Sequence, residues 1–384
     1  MIDFDIKPYP GEDEISVLKR KVYFIREVKP RIDYQKKSIQ EKSLNLVPLT
    51  SEEKQDIDSF WDKYLPGDLK EKFLDYRYYE FYKNVLKDGE RLCNYMPDLF
   101  YQAFIDEYFT NPQHTRPIDD KNLYDLYFHD VPRPKTIFRK ILNSYLDEDY
   151  RPISMDRAIE MACETDEVIL KVAKFSAGGA GVKFWKNGVN EKQELIDFLN
   201  SSTNIVCQEV LKQHDELNRL NSSSVNTVRV MTLLFDDQVH VLSSVLRMGI
   251  NGSRVDNASS GGIVCGIMPD GRLKNVAFDM LGNKFLKHPQ GTAFESVRIP
   301  DFSKCLEYST SLAERLSSTS RLMSWDLAIG ESGHPFLIEF NNSRGQMDFH
   351  QLCNGPFFGK MTDKVLSEVF SKSFTLNSII KSLQ

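Results

Sequence analysis

The fold is decided by the stretch Leu322-Met-Ser-Trp-Asp-Leu-Ala-Ile329, followed by Gly330-Glu-Ser-Gly-His334 and then by Pro335-Phe-Leu-Ile-Glu-Phe-Asn341. The first and last segments are short apolar runs, and the middle segment is a cluster of turn-forming residues. Two apolar runs joined by such a turn are typical of an antiparallel pair of strands. We therefore predict a β-hairpin here.

Three polar side chains, Asp326, Glu339 and Asn341, interrupt this apolar hairpin. If the turn is centred between Ser332 and Gly333, Asp326 lies directly opposite Glu339. Side chains of a strand alternate between its two faces, so Glu339 and Asn341 point the same way. The same alternation predicts three core-facing side chains: Phe336, Ile338 and Phe340.

Opposed carboxylates with β-carbons about 4.5–5.5 Å apart repel each other unless positive charge lies between them. Two carboxylates and an amide oxygen on rigid strands suit Mg²⁺ that carries nucleotide phosphates. The sequence thus predicts a metal site at Asp326, Glu339 and Asn341. The alternative, a polar solvated hairpin face, is disfavoured by the apolar flanks. Because of the repulsion, we also expect that replacing either carboxylate by its amide spares or raises stability without nucleotide.

Composition excludes several classes of protein. The 384 residues hold 55 Asp and Glu against 49 Lys and Arg, so the chain lacks the basic character of a nucleic-acid-binding protein. Its six cysteines are scattered and form no C-x-x-C motif, which argues against a zinc site and fits a reducing cytosol. The start lacks the order of a signal peptide, and no run approaches about 18 apolar residues. We expect a soluble cytoplasmic protein.

Residues 1–140 differ from the rest of the chain in having few glycines, many aromatic residues and long charged segments at helical spacing. Thr50-Ser-Glu-Glu53 is a capping box that opens one predicted helix. Residues 17–41 are locally basic, which is typical of a solvated helix face or of contact with an anionic membrane or a polyanionic partner. From Ser154 onward the pattern is mixed α/β, and it ends in a predicted helix over Met361–Leu383.

A lysine-bearing apolar strand that leads into a glycine loop is the second chemical signal. Lys171 and Lys174 leave the strand, and either lysine is placed to reach phosphates while the loop amides close over them. The alternative is an ordinary tight hairpin, since the loop fits neither a Walker nor a Rossmann pattern. The candidate loop residues are Ser176, Gly178, Gly179 and Gly181.

The segment Ile205–Leu211 reads as an edge-like strand with polar groups at its end. Backbone groups at such an end are suited to reading adenine, although a simple buried strand has the same pattern. The candidate residues are Gln208, Glu209, Val210 and Leu211.

Arg229 and Arg247 each lie within a strongly apolar strand, and buried arginines need anionic partners. Internal salt bridges are one explanation, and binding of polyphosphate or carboxylate is the other. The polar loop that follows, residues 254–262, is a candidate substrate contact. Its candidate residues are Arg254, Asp256, Asn257, Gly261 and Gly262.

In this order, the strand lysine, glycine loop, strand arginines and Asp-x12-Glu-x-Asn set resemble the ATP-grasp superfamily. The segments Asn226–Arg229, Leu246–Gly249, Ser324–Leu327 and Ile338–Asn341 look like its sugar-transfer-associated branch. The resemblance covers about Ser154–Phe358. One departure is Asn342-Ser-Arg-Gly345, which stands where relatives often have a Pro-Gly turn and places Arg344 among the acceptor candidates.

The resemblance implies an α+β ATP-grasp fold, in which two subdomains clamp a nucleotide. We expect a helical domain over 1–140, a lid subdomain over 141–215 and a metal-hairpin subdomain over 216–384. It implies ATP and Mg²⁺ as cofactors, with Lys171, Arg229 and Arg247 as catalytic residues.

The implied reaction joins an amine to a sugar-linked carboxylate, such as a uronic acid, through an acyl-phosphate, in surface polysaccharide biosynthesis. A sugar or polyol kinase and a non-catalytic nucleotide-binding partner of a polysaccharide assembly are the alternatives.

Overall fold

The computed structural model describes residues 13–65, 67–110, 115, 118–174, 181–342 and 345–372. In these ranges the chain forms two separate antiparallel sheets, of six and seven strands, together with a helical amino-terminal region. None of the helices described is long and apolar enough to cross a membrane.

The amino-terminal region is helical, as predicted. Thr50 and Glu53 form the expected capping box, in which the Thr50 hydroxyl accepts from the Glu53 amide at 3.2 Å. The main helices are α1 (Glu14–Tyr23), α2 (Lys29–Glu41), α3 (Ser51–Trp61), α4 (Gly67–Phe73) and α5 (Arg77–Tyr82). Short helical segments lie at Phe24–Val28, Lys42–Asn45, Lys83–Val85, Leu92–Asn94, Asp98–Phe100, Tyr101–Ile105, Asp106–Phe109, Lys121–Leu123 and Tyr124–Tyr127.

The six-stranded sheet has the order β3-β2-β1-β6-β4-β5. Its strands are β1 (Thr136–Ile141), β2 (Ser144–Asp147), β3 (Pro152–Ile153), β4 (Glu167–Val172), β5 (Val182–Lys186) and β6 (Ile205–Glu209). Two helices, α6 (Met155–Cys163) and α7 (Lys192–Ser201), pack on one face and share its apolar core. Strand β6 lies between β1 and β4, so the prediction of an edge-like strand is wrong: its residues are buried because both of its edges are paired.

Strands β1 to β3 were not predicted from the sequence. Strand β1 carries two basic residues, Arg139 and Lys140, that are both buried. Arg139 is bonded to the Asp125 carboxylate, and the Lys140 ammonium donates to the carbonyls of Leu199 at 2.6 Å and Ser202 at 3.0 Å. Both charges are satisfied by partners outside β1. Two adjacent basic residues interrupt the alternation of apolar and polar residues by which a strand is recognised, so the sequence of β1 does not indicate a strand.

The seven-stranded sheet has the order β11-β10-β9-β8-β7-β12-β13. Its strands are β7 (Thr227–Phe235), β8 (Gln238–Met248), β9 (Ile263–Ile267), β10 (Leu273–Phe278), β11 (Lys284–Phe285), β12 (Leu322–Ile329) and β13 (Pro335–Asn341). The associated helices are α8 (Phe302–Arg315), α9 (Asp348–Asn354) and α10 (Thr362–Lys372), with short segments at Asp215–Asn218, Ala258–Ser260, Phe294–Ser296 and Gly359–Met361. The part of the predicted carboxyl-terminal helix beyond residue 372 lies outside the described residues.

Apolar cores lie on both faces of the seven-stranded sheet. Helix α8 packs on one face. On the other face, the amino-terminal helices and α10 bury side chains together with those of β7, β8 and β12 in one continuous core. The helical region is therefore fixed to this sheet by shared burial. The three-domain division stays a proposal.

A buried ion cluster also joins the helical region to α9. The Lys42 ammonium lies 3.3 Å from the Asp98 carboxylate and 3.2 Å from the Asp348 carboxylate. The Tyr82 hydroxyl donates to Asp98 at 2.7 Å. Burial raises the pKa of Asp98 to about 6 against the opposing effect of Lys42. The cluster thus holds two carboxylates that depend on one cation.

We expect Lys42→Ala to lower the free energy of unfolding by about 3 kcal/mol, because it leaves buried carboxylates without their cation. Lys37→Ala is the matched control, since Lys37 is 77% exposed and lies 3.8 Å from Glu41; its cost should stay within about 0.5 kcal/mol. Urea unfolding measures both. Equal effects of the two substitutions would contradict the structural role of the cluster.

Candidate active site

Four charged side chains form a row across neighbouring strands of the seven-stranded sheet. Arg247 lies on β8, Arg229 on β7, Asp326 on β12 and Glu339 on β13. Strand pairing places Asp326 directly opposite Arg229 on one side and opposite Glu339 on the other. The predicted pairing of Asp326 with Glu339 is therefore confirmed, and the row runs from two cations to two carboxylates.

Asp326 is the centre of this row. Its two carboxylate oxygens accept from the Arg229 Nε and Nη2 atoms, both at 2.6 Å, and Arg247 Nη1 donates to the same carboxylate at 3.0 Å. Burial opposes the charged form, but the two guanidinium groups hold the pKa of Asp326 below its ordinary value. In turn, the Asp326 carboxylate raises the pKa of Arg229 against the effect of burial.

The prediction that the opposed carboxylates repel each other is therefore wrong. Asp326 is neutralised by two arginines, and Glu339 lies 2.8 Å from the ammonium of Lys121. The positive charge predicted to lie near these carboxylates is supplied by side chains of the protein itself, Arg229, Arg247 and Lys121. Lys121 was missed because a single lysine in the charged segment Asp119–Lys121 has no periodic signal in the sequence.

A β-bulge corrects two of the three predicted core-facing orientations: Phe340 is in the core, whereas Phe336 and Ile338 are only partly buried and lie outside it. The pairing of β12 with β13 shifts between Asp326 and Leu327, so that Leu327 pairs with Leu337 and Ile338 is the extra residue. Leu337 and Phe340 are in the core, whereas Ile338 lines the cleft described below together with Glu339 and Asn341. An inserted residue reverses the alternation on its own strand, and only the pairing of both strands reveals it.

A cleft with a volume of about 830 Å³ lies between the two sheets. One wall carries Arg229, Arg247 and Asp326 from the seven-stranded sheet, and the other carries Lys171 and Phe184 from the six-stranded sheet. Tyr34 from α2 and Gln346 extend the lining, and the sequence indicated neither of them. The fold thus brings basic side chains from distant parts of the chain into one cavity.

Strand β4 directs Lys171 and Lys174 to different surroundings. Leu170 packs in the core beneath the helices, so Ile169 and Lys171 face the cleft, as the alternation predicted. The Lys171 ammonium donates to Gln208 Oε1 at 3.2 Å, and burial lowers its pKa to about 8. Lys174 lies beyond the strand, outside the cleft lining, with its ammonium 3.1 Å from the Asp120 carboxylate.

The end of β6 forms the back of the cleft. Glu209, Val210 and Leu211 line it, whereas Gln208 is buried behind them and orients Lys171. The Glu209 carboxylate lies 3.5 Å from the Lys135 ammonium.

The loop over residues 254–262 lies only partly in the cleft. Arg254, Asp256 and Asn257 line it, whereas Gly261 and Gly262 do not. Asp256 accepts from the Thr227 amide and hydroxyl and lies 3.5 Å from Arg247 Nη2, which also donates to Asn257 Oδ1. Asp256 and Asn257 therefore position Arg247. A direct contact with the substrate stays a prediction.

Arg254 joins the two sheets across the mouth of the cleft. Its guanidinium donates to the Glu167 carboxylate at 2.7 Å and lies 3.9 Å from the centre of the Phe184 ring. Both of these residues belong to the six-stranded sheet. A loop residue that was predicted to contact substrate thus bridges the two walls of the cleft.

Several predicted residues lie outside the described part of the chain: Ser176, Gly178, Gly179 and Arg344. Gly181 is described. It ends the β4–β5 connection with a φ of +75°, and its carbonyl accepts from the Val172 amide at 2.8 Å. Gly181 does not line the cleft.

The donor atoms of the predicted metal ligands differ in how well they suit Mg²⁺. Among the described residues, no group of three or more His, Cys, Asp and Glu is placed to hold a metal ion. Glu339 and Asn341 line the cleft, and their carboxylate and amide oxygens are the type of donor that Mg²⁺ takes. Asp326 already accepts three hydrogen bonds, of about four that a carboxylate accepts. The donor types of Glu339 and Asn341 thus fit Mg²⁺, whereas Asp326 is engaged by the two arginines, and binding of a metal here stays a prediction.

We expect Asp326→Asn to lower the free energy of unfolding by about 3 kcal/mol, because Arg229 and Arg247 lose the carboxylate that compensates them in a buried site. Glu339→Gln is the matched control on the adjacent strand. Its side chain is 30% exposed, so a loss below about 1 kcal/mol is expected. Thermal and urea unfolding without nucleotide measure both. A stability of Asp326→Asn equal to that of the unmodified protein would restore the repulsive interpretation.

The chain is similar to several solved structures. D-alanyl-alanine synthetase A from Vibrio cholerae O1 biovar eltor is 12% identical, with a TM-score of 0.41, over 71% of this chain and 68% of that one. An L-amino acid ligase from Bacillus licheniformis is 13% identical, with a TM-score of 0.40, over 67% and 48%. The ATP-grasp ligase PsnB, in complex with a minimal precursor, Mg and ADP, is 15% identical, with a TM-score of 0.39, over 68% and 62%. The chain thus spans from about half to about two thirds of these proteins. No curated protein sequence matches it.

Residues 102–366 match the family described as sugar-transfer associated ATP-grasp. This range contains every strand of both sheets and the whole charged row. The predicted α+β ATP-grasp fold is therefore confirmed. The chain belongs to the sugar-transfer associated ATP-grasp family.

Proposed function

We propose that this protein is an ATP-dependent ligase that joins an amine to a sugar-linked carboxylate through an acyl-phosphate. The observation that carries the proposal is the convergence of Lys171, Arg229 and Arg247 on one cleft that also holds Glu339 and Asn341. Cations on two opposing walls suit a polyanion, and the carboxylate and amide oxygens suit its accompanying Mg²⁺. The family's association with sugar transfer supports a carbohydrate-linked substrate.

Phosphate binding is the first task that we assign to the basic residues. Lys171 has a neutral partner, Gln208, so its ammonium gains a stronger hydrogen bond from a phosphate oxygen. Lys121 at Glu339 would be a second phosphate ligand. Each arginine has N–H groups beyond those donated to Asp326, and these can meet phosphate oxygens or the substrate carboxylate.

The reaction that we propose has two displacements. A carboxylate oxygen of the substrate attacks the γ-phosphorus of ATP, and ADP leaves. The amine nitrogen then attacks the acyl carbon, phosphate leaves, and the nitrogen loses a proton. Arg229 and Arg247, held rigidly by Asp326, would stabilise the charge that develops on the transferring phosphoryl group and on the acyl oxygen.

Mg²⁺, when bound at Glu339 and Asn341, would neutralise phosphate charge during phosphoryl transfer. Glu339 would have to exchange its bond to Lys121 for the metal, which leaves the lysine close to the phosphates. The glycine loop, most of which lies outside the described residues, is proposed to shield the acyl-phosphate from water. A cytoplasmic location in surface polysaccharide biosynthesis is part of the same proposal.

The direct test incubates the protein with ATP, Mg²⁺, hydroxylamine and a panel of uronic acids and amino acids. A ligase releases ADP and forms a hydroxamate, since hydroxylamine traps the acyl-phosphate. Release of ADP together with a phosphorylated sugar would instead identify a kinase. No ADP release above that of the Glu339→Gln variant with any carboxylate would favour a non-catalytic nucleotide-binding protein.

Lys171→Ala is expected to raise the KM for ATP at least tenfold, about 1.4 kcal/mol, because the cleft loses a phosphate-facing cation. Lys174→Ala is the matched control from the same segment, and its KM should change less than threefold because Lys174 lies outside the cleft. Steady-state kinetics measure both constants. Comparable KM values for the two variants would remove Lys171 from the phosphate site.

A further inference from the structure

An exposed apolar stripe runs along the first helix of the protein. Ile15, Leu18 and Val22 of α1 and Ile25 directly after it are 65%, 60%, 43% and 60% exposed. Spacings of three and four residues place these side chains on one side of a helix. We define them as the α1 stripe. It lies outside residues 102–366, so it is not part of the matched family range.

The α1 stripe faces away from the body of the protein. Val28 is buried in the shared core just after the stripe, and the Tyr23 hydroxyl donates to Glu107 at 2.8 Å. These contacts fix the opposite side of the segment against the helical region. The four apolar side chains of the α1 stripe therefore point to solvent, on a segment whose other side is fixed to the protein.

Positive charge borders the stripe. Lys19 and Arg26 are exposed beside it, and the acidic residues Asp13 and Glu14 are exposed at the start of the helix. Three basic residues of α2 lie close to carboxylates: Lys29 pairs with Asp33 at 3.0 Å, Lys37 lies 3.8 Å from Glu41, and Arg31 lies 3.5 Å from the buried Asp106. Of the basic residues 17–41, those around α1 have the combination of exposed apolar and cationic groups that suits an anionic lipid surface.

A helical protein partner is the competing occupant, since spacings of three and four also occur in coiled coils. A coiled coil needs a seam of three or four heptads, whereas the stripe covers only residues 15–25. An isolated apolar stripe of this length, flanked by lysine and arginine, is typical of a helix that lies in a membrane interface. We propose that the α1 stripe docks the protein on an anionic membrane, with its four apolar side chains in the interface.

The test is co-sedimentation of the full-length protein with vesicles of phosphatidylcholine alone or with 30% phosphatidylglycerol, about the charge density of an anionic leaflet. Binding is expected only to the anionic vesicles, and it should weaken as salt screens the basic residues. Leu18→Glu/Ile25→Glu should reduce the vesicle-bound fraction at least tenfold. Val189→Glu/Leu286→Glu, at two sites 73% and 72% exposed on other parts of the surface, should leave it unchanged.

Urea unfolding midpoints equal to that of the unmodified protein would show that both double variants are folded. Absence of binding to anionic vesicles would overturn the inference, as would equal binding by the Leu18→Glu/Ile25→Glu variant. A dimer in light scattering that this variant dissociates, without vesicle binding, would identify the stripe as a contact between copies of the chain. None of these outcomes depends on the ligase activity, so the two proposals fail independently.

Discussion

The buried interaction of Asp326 with Arg229 and Arg247 is the constraint on which the cleft depends. Three charged groups are buried at the centre of a sheet, and the Asp326 carboxylate accepts hydrogen bonds from both guanidinium groups, which compensates much of the cost of burying them. Strand pairing fixes the carboxylate opposite Arg229, so the cluster cannot move without breaking the backbone hydrogen bonds between β7 and β12. The protein thus holds two cations in a fixed place on one wall of the cleft.

The second wall of the cleft has a different electrostatic character. Lys171 is supported by the neutral Gln208, and burial lowers its pKa to about 8. A negative charge brought close to this lysine would favour its protonated form. One wall is therefore internally compensated by a carboxylate, whereas the cation of the other wall is hydrogen-bonded to a neutral amide.

The amino-terminal helices support one wall of the cleft. Their core is continuous with one face of the seven-stranded sheet, and Lys42 ties them to Asp348 at the start of α9. Gln346, two residues earlier, lines the cleft and lies 3.5 Å from Arg229. Through this route the helical region supports the wall that holds the arginines, and Tyr34 on α2 reaches the cleft lining.

The sequence by itself determined the features that depend on local periodicity. The hairpin, the pairing of Asp326 with Glu339 and the inward direction of Lys171 follow from the alternation of side chains along a strand, and the motif order indicated the family. The bulge at Ile338 is beyond that reasoning, because an inserted residue is defined only by the strand opposite.

The tertiary structure alone decided which charges meet. Asp326 is 97 residues from Arg229 in the sequence. Lys121, which precedes the first strand of the six-stranded sheet, contacts Glu339 on the last strand of the other sheet. Strand β1 escaped prediction for the same reason, since Arg139 and Lys140 are buried only because Asp125, Leu199 and Ser202 receive their hydrogen bonds. The cost of burying a charge depends on partners that folding brings together, and no local pattern in the sequence records them.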